Sequence, residues 1–257
     1  SIIIPFYDKD YHYIPDMLSY LSKLSFNKEV IFIDDRNDKS LNIRSEYNIP
    51  NEYIIINSSI NGENIGTFES RRTGVNVASG EYIWFVDIDD EPLDIDLETI
   101  NRPIYDVIGF TYKIFTDSEL NYLNFFIDVP FYDVQYKKNE FHIVNYLISA
   151  LKIGLWNKLI KRNTLIEVFK QIPINKHFIE FEDCYLLYKI LFNSTRVKLI
   201  GKPIYIYNLS EDRKNSFYKI KDKVIKSNSY INNLFSNEIL KDKYFVNYLL
   251  EFLFNNG

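Results

Sequence analysis

The sequence predicts an α/β fold in which helices flank a mixed, mostly parallel central sheet. Three observations lead there. Short apolar runs at residues 2 to 6, 30 to 33, 53 to 56 and 82 to 86 have the length of buried strands. Most of the stretches between them are long enough for helices, and such alternation builds βαβ units with parallel strands. The fourth run, Tyr82-Ile83-Trp84-Phe85-Val86, then ends in Asp87-Ile88-Asp89-Asp90. Open α/β sheets hold ligands beyond the carboxyl ends of their strands, so carboxylates delivered there mark a site. Such closely spaced like charges repel, and a hard divalent ion such as Mg2+ or Mn2+ relieves the repulsion.

The 257 residues, 46% of them hydrophobic, suffice for one α/β domain with or without an appendage and exclude a disordered chain. A net charge of -5 excludes a general polyanion binder, because nucleic-acid affinity rests on clustered Lys and Arg. Cys184 is the only cysteine, so no intrachain disulfide or CxxC metal site exists. A lone thiol suits a reducing compartment. No secretory leader is legible in Ser1-Ile2-Ile3-Ile4-Pro5, and no apolar run approaches the length of a membrane span. The expectation is a cytoplasmic protein.

Along the chain, the first strand ends in Pro5-Phe6-Tyr7-Asp8 and is followed by a helix around residues 16 to 21, with Pro15 suited to its first turn. The second strand ends in Asp34-Asp35-Arg36-Asn37-Asp38. Here Asp35 reads as a helix cap, as a solvated loop residue, or as an acceptor for a nucleobase N–H with Phe6 and Tyr7 beside it. A polar loop containing Asn64 and Gly66 leads into a helix expected from about Thr67 to Ser79 and ended by Gly80. On it, Arg71 and Arg72 read as phosphate forks or as salt-bridging residues. From Asp106 to about Val129, longer aromatic-rich runs suggest mixed or antiparallel strands. Residues 140 to 151 and 181 to 192 have helical spacing, and Lys202 to Tyr207 reads as a late strand. Two further helices are expected beyond about Ser216.

The order and spacing of these motifs resemble the family 2 glycosyltransferases of the GT-A fold. The resemblance lies in Ile4-Pro5-Phe6-Tyr7, the pair Asp34-Asp35, Asn64 and Gly66, Arg71 and Gly74, Gly80-Glu81-Tyr82 and the tract Asp87 to Asp90. It is strongest over residues 1 to about 95 and continues from 154 to about 216. It implies one GT-A domain over 1–215, with a nucleotide-binding half at 1–95 and an acceptor-binding half at 96–215, and a C-terminal helical extension at 216–257.

By position, the resemblance implies that Pro5, Phe6, Tyr7 and Asp35 hold the base of a nucleotide sugar, uridine above all. Asn64, Gly66, Arg71, Asp87 and Ile88 belong to the same donor site. Asp89 is the expected principal ligand of Mn2+ or Mg2+, with Asp87 shared between ribose and metal. In Glu182-Asp183, which opens a helical segment and also reads as a helix-capping pair, Asp183 is the expected general base and Glu182 orients it or the acceptor. Trp156-Asn157-Lys158 resembles a Trp-Asn-Lys segment of bacterial members and would line the sugar or acceptor site; a core tryptophan beside a solvated lysine is the competing reading. His177, six residues before Asp183, is left open as a metal contact. The implied reaction is an inverting, metal-dependent transfer from a UDP-sugar to a glycan or lipid-linked saccharide, in bacterial surface-glycan assembly.

Two alternatives stand beside it. An Asp-x-Asp after an apolar strand also serves metal-dependent phosphoryl transfer, although phosphatases of the haloacid dehalogenase type carry it near their first strand. A non-catalytic nucleotide-sugar or glycan-binding module is the other, against which intact Asp89 and Asp183 speak. The tail from Arg213 to Lys226 carries six basic residues against Asp222, with Phe217 and Tyr218 among them. That pattern fits peripheral docking on an anionic membrane's inner face, a solvated helix or an oligomer contact.

Overall fold

In the computed structural model the four apolar runs form β1 (Ile2–Phe6), β2 (Val30–Asp34), β3 (Ile54–Asn57) and β4 (Tyr82–Phe85). The structure describes residues 1–8, 10–37, 42–60, 63–97, 104–116, 119–121, 131–151, 154–174 and 182–209. β1 lies parallel between β2 and β4, and β3 extends the parallel array on the far side of β2. Every residue of β1 and β2 is buried, as expected of parallel strands covered on both faces.

Side chains alternate across a strand, so β1 feeds two cores. Ile2, Ile4 and Phe6 pack with Ile14, Met17 and Leu21 of α1 (Ile14–Lys23), while Ile3 packs with Phe68 and Val75 of α3 (Thr67–Val77). Between these helices lies the short α2 (Ile43–Glu46), capped by the Asn42 side chain. The buried residues of α1 recur at helical spacing, and Pro15 occupies its first turn as expected. Gly80 has a different task from the one expected. α3 ends at Val77 with Ala78 already extended, and a Cβ on Gly80 would come within 2.6 Å of Ser1, so Gly80 permits close packing instead of capping the helix.

Beyond β4 the sheet becomes mixed. β9 (Lys158–Lys161) runs antiparallel to both β4 and β6 (Val107–Thr116), and β6 runs parallel to β10 (Arg196–Asn208). β5 (Glu91–Pro92) and β8 (Phe131–Gln135) are antiparallel partners of β10, and β7 (Glu119–Asn121) pairs with β6. The late strand is longer than expected, and its register slips on both sides of Pro203. Proline has no N–H for the ladder, so a break there is natural. The break lets the first part of β10 serve β8 while its last part reaches β5 and the carboxylate loop after β4.

α4 (Phe141–Leu151) and α6 (Glu182–Asn193) match the two expected helical segments, and α5 (Arg162–Gln171) packs against α6. Tyr185 and Tyr188 of α6 are buried in the same core as α3 and α4. The sheet is continuous from β3 to β10, so the two expected halves share one scaffold. The expected boundary at residue 215, the extension at 216–257 and the basic tail lie outside the described residues. Among the described residues, no helix is long and apolar enough to cross a membrane.

Close contact between α3 and β1 depends on Gly74, where a Cβ would stand 2.5 Å from the side chain of buried Ile3. Replacing Gly74 with Val overpacks this contact. Gly74→Val is expected to lose about 1–3 kcal/mol of stability, measured by urea denaturation.

Candidate active site

The parallel strands, α3 and the start of α6 surround a cleft of about 670 Å³, within the usual range for a small-molecule site. Pro5, Phe6, Tyr7 and Asp35 line one side, as expected. They contribute differently. The Phe6 ring points into the core against Phe32 at 6.3 Å, whereas Tyr7 is 48% exposed and presents its ring at the mouth. Asp35 is buried, and its carboxylate is already engaged by protein donors: Ser58 Oγ at 3.0 Å, Ile65 N at 2.9 Å and Gly66 N at 2.8 Å. It therefore fixes the loop that starts α3, and any nucleobase contact would be additional to that task. Gly66, at φ 84, adopts the left-handed region open to glycine, and exposed Asn64 lies beside it on the cleft wall.

The tract after β4 divides its carboxylates between structure and site. Asp90 is fully buried; it accepts hydrogen bonds from Tyr205 Oη at 3.0 Å and Asn208 N at 2.8 Å. Tyr205 Oη also accepts from Asp87 N at 3.0 Å, and Asn208 Nδ2 donates to the Asp89 carbonyl at 2.5 Å. With the loop pinned by the end of β10, Asp87, Ile88 and Asp89 line the cleft. Tyr205 and Asn208 escaped sequence reasoning because more than a hundred residues separate them from the carboxylates, and no local pattern links the two.

At the centre lies Arg71. Its guanidinium is buried and donates to Asp87 Oδ1 at 3.0 Å and to Asp183 Oδ1, with Glu182 Oε1 3.6 Å away. Of the two readings of Arg71, phosphate fork or salt-bridging residue, the structure shows the ion pairs: one cation among three carboxylates, on the cleft wall. The same arrangement joins the two expected functional motifs. Burial raises the Asp183 carboxyl, with Arg71 pulling it back and Asp87 pushing it further up. Burial and then Asp183 push Glu182 up to about 7. Arg71 itself moves upward because the pull of Asp183, Asp87 and Glu182 outweighs its burial.

None of the Trp-Asn-Lys residues lines this cleft, where Asn157 and Lys158 were expected to give polar contacts to sugar or acceptor. Both are buried, and Asn157 Nδ2 donates to the Phe110 carbonyl at 2.7 Å. Lys158 Nζ is spent on oxygens of the surrounding chain. Trp156 is a packing residue, stacked on Tyr205 at 4.8 Å and Tyr207 at 5.2 Å. Arg72 pairs with Glu69 at 3.2 Å and donates to the Ile172 carbonyl at 3.1 Å, away from the donor groups. His177 lies outside the described residues.

The carboxylates suit a hard cation. Asp87 and Asp89 open on the cleft, and Asp10, Asp89 and Asp8 add to burial in raising the Tyr7 phenol, a sign of a negative field at the mouth. Among the described residues, no group of three or more His, Cys, Asp or Glu side chains could hold a metal alone. A pair of carboxylates completed by water and phosphate oxygens is the usual arrangement for Mg2+ in phosphate-binding sites.

The model of glycosyl transferase family 2 matches residues 1–162. The chain belongs to glycosyltransferase family 2. This family 2 chain is 26% identical over 229 residues to the glycosyltransferase GlyA of Streptococcus pneumoniae, covering 86% of this chain and 31% of that protein. It is 27% identical over 194 residues to a cholesterol galactosyltransferase of Borreliella burgdorferi, covering 70% of this chain and 51% of that one. It thus spans only part of either relative. Among solved structures, S. aureus TarS 1-349 in complex with UDP is similar with a TM-score of 0.62 at 22% identity, over 97% of this chain and 70% of that one. The complex of the same TarS fragment with UDP-GlcNAc gives 0.61 at 22% identity, over 82% and 58%. The expected GT-A architecture is borne out. Family membership speaks against the phosphoryl-transfer reading, as does the position of the Asp-x-Asp after the fourth strand.

Removing Arg71 strands three partly buried carboxylates. Arg71→Met is expected to cost about 3–5 kcal/mol by urea denaturation, more at pH 8 than at pH 5, where the carboxylates can take up protons. Glu182 carries its own pH signature. Its folded value of about 7 lies above that of an unfolded Glu, so its stabilising contribution is complete below about pH 4.3 and is lost as pH rises through 7. Glu182→Gln should therefore lose less stability than the parent between pH 5 and pH 8, read from the urea midpoints.

Proposed function

We propose that this protein transfers a sugar from a UDP-sugar to a hydroxyl of a glycan or lipid-linked saccharide, in one displacement that inverts the anomeric carbon. The observation that carries this reading is the shared cleft of Asp87, Asp89 and Asp183, with Arg71 joining the first and last. The UDP and UDP-GlcNAc complexes of TarS support a uridine donor by analogy of fold.

A sugar hydroxyl is a poor nucleophile and needs a base within hydrogen-bond reach as it attacks. Asp183 is that base. Its burial raises the basicity of the carboxylate, and Arg71 orients it toward the cleft side on which Asp87 stands. Asp89, with Asp87, would hold the divalent ion, whose charge stabilises the departing diphosphate. Tyr7 and the backbone at Pro5 and Phe6 give the base a flat surface and polar partners, while Asp35 keeps the opposing loop in position. Glu182 orients Asp183 through their common cation. No enzyme nucleophile is needed for a single displacement, and Cys184 is a packed core residue.

The test combines catalysis with donor binding. Asp183→Asn should reduce UDP release from a panel of UDP-sugars, with saccharide acceptors and Mn2+, by about 10²–10⁴-fold. It should keep the thermal stabilisation produced by UDP and Mn2+, whereas Asp89→Asn should lose its Mn2+-dependent part. Full transfer by Asp183→Asn would remove it as the base. Donor binding without transfer or donor hydrolysis by the parent protein would favour a binding module.

A further inference from the structure

Asp87 and Asp89 open on the cleft from a turn that Asp90 N closes by donating to the Asp87 carbonyl at 3.2 Å. Two side chains at the end of β10 hold that turn from behind. The Tyr205 hydroxyl uses both of its capacities at once, donating to Asp90 Oδ2 at 3.0 Å and accepting from Asp87 N at 3.0 Å. Asn208 repeats the arrangement one turn end further on: its backbone N donates to Asp90 Oδ1 at 2.8 Å and its Nδ2 to the Asp89 carbonyl at 2.5 Å. The backbone of each cleft carboxylate is therefore held by a β10 side chain that does not itself line the cleft.

The phenol is aimed by packing. Tyr205 is fully buried and stacks on Trp156 at 4.8 Å, with the two rings 19° from parallel. Tyr112 meets Trp156 edge-on at 4.5 Å, and the Trp156 carbonyl accepts from Trp84 Nε1 at 2.5 Å. Trp84 belongs to β4, the strand that leads into the carboxylate turn. One tryptophan thus joins the strand that delivers the carboxylates to the phenol that holds them, a task for Trp156 other than the sugar contact expected of it.

Carboxylates two residues apart repel, so an untethered turn would let Asp87 and Asp89 diverge, and a cation would have to gather them at an entropic cost. A tethered turn presents them already gathered. We propose that Tyr205 is a positioning residue for the divalent ion, with Asn208 as its partner: their hydrogen bonds fix the Asp87–Asp90 turn and so set the affinity of the cleft for the metal. The proposal rests on Asp87 and Asp89 being the metal ligands. It extends the metal site to residues more than a hundred positions away that need never touch the ion.

Tyr205→Phe deletes the hydroxyl and keeps the stacked ring; Asn208→Ala deletes the bond to the Asp89 carbonyl and keeps the backbone bond to Asp90. Mn2+ is titrated into the protein with UDP present, and binding is read from the loss of the free-Mn2+ electron paramagnetic resonance signal. Both variants should bind Mn2+ more weakly, by about 10–100-fold for Tyr205→Phe. UDP release from UDP-GlcNAc should show the same split, with a raised Mn2+ requirement and a kcat that recovers at high Mn2+. Parent-like Mn2+ affinity in both variants overturns the proposal, even where the urea midpoint falls, since that is the signature of a purely structural brace. If Tyr205→Phe does not fold, Asn208→Ala alone decides. Asp89→Asn is titrated in parallel: if it binds Mn2+ like the parent, the ligand assignment fails; if it loses Mn2+ while the two β10 variants retain it, only the role of Tyr205 and Asn208 fails.

Discussion

The buried guanidinium of Arg71 is the interaction on which the site depends. Asp87 comes from the end of a parallel strand and Asp183 from the first turn of a helix almost a hundred residues later, and both converge on one cation. Each carboxylate would repel the others if the cation were absent, and burial would amplify that repulsion. With it present, Asp87 and Asp183 are held at a set separation across the cleft. α3 carries Arg71 to that point, so the tight seat of α3 on β1 through Gly74 is part of the same construction.

Around this centre the polar groups next to the cleft are secured from behind. Asp35 ties β2 to the loop that opens α3, and Asp90, Tyr205 and Asn208 tie the carboxylate loop to β10. Asp34 does the same for the following turn through its bidentate pairing with Arg36 at 2.9 Å. These bonds turn three strand ends, otherwise free to move independently, into a single wall. Acids in the same short tract consequently have opposite tasks: Asp90 faces inward as a brace, while Asp89 faces the cleft.

The mixed half of the sheet completes the scaffold. β9 lies between β4 and β6, and its first residue, Lys158, is fully buried. After the register break at Pro203, the end of β10 reaches the carboxylate loop that follows β4. A continuous sheet carries the strands on both sides of the cleft.

Much of this was legible in the sequence. The four apolar runs marked the parallel strands to within a residue or two, because burial on both faces demands unbroken apolar stretches. Asp87, Asp89 and Asp183 stood out through their positions at a strand end and a helix start, where carboxylates have a local electrostatic reason to be. What sequence alone could not decide was how the charges were shared. Arg71 read equally as a phosphate fork or a salt-bridging residue and is paired with three carboxylates; Lys158 read as a ligand contact or a solvated lysine and is buried; Tyr205 carried no signal at all and became a brace. Local propensity and apolar patterning act over a few residues and can be read from a string. Burial, pairing and field depend on which distant groups the folded chain brings within a few ångströms, and only the tertiary structure decides that.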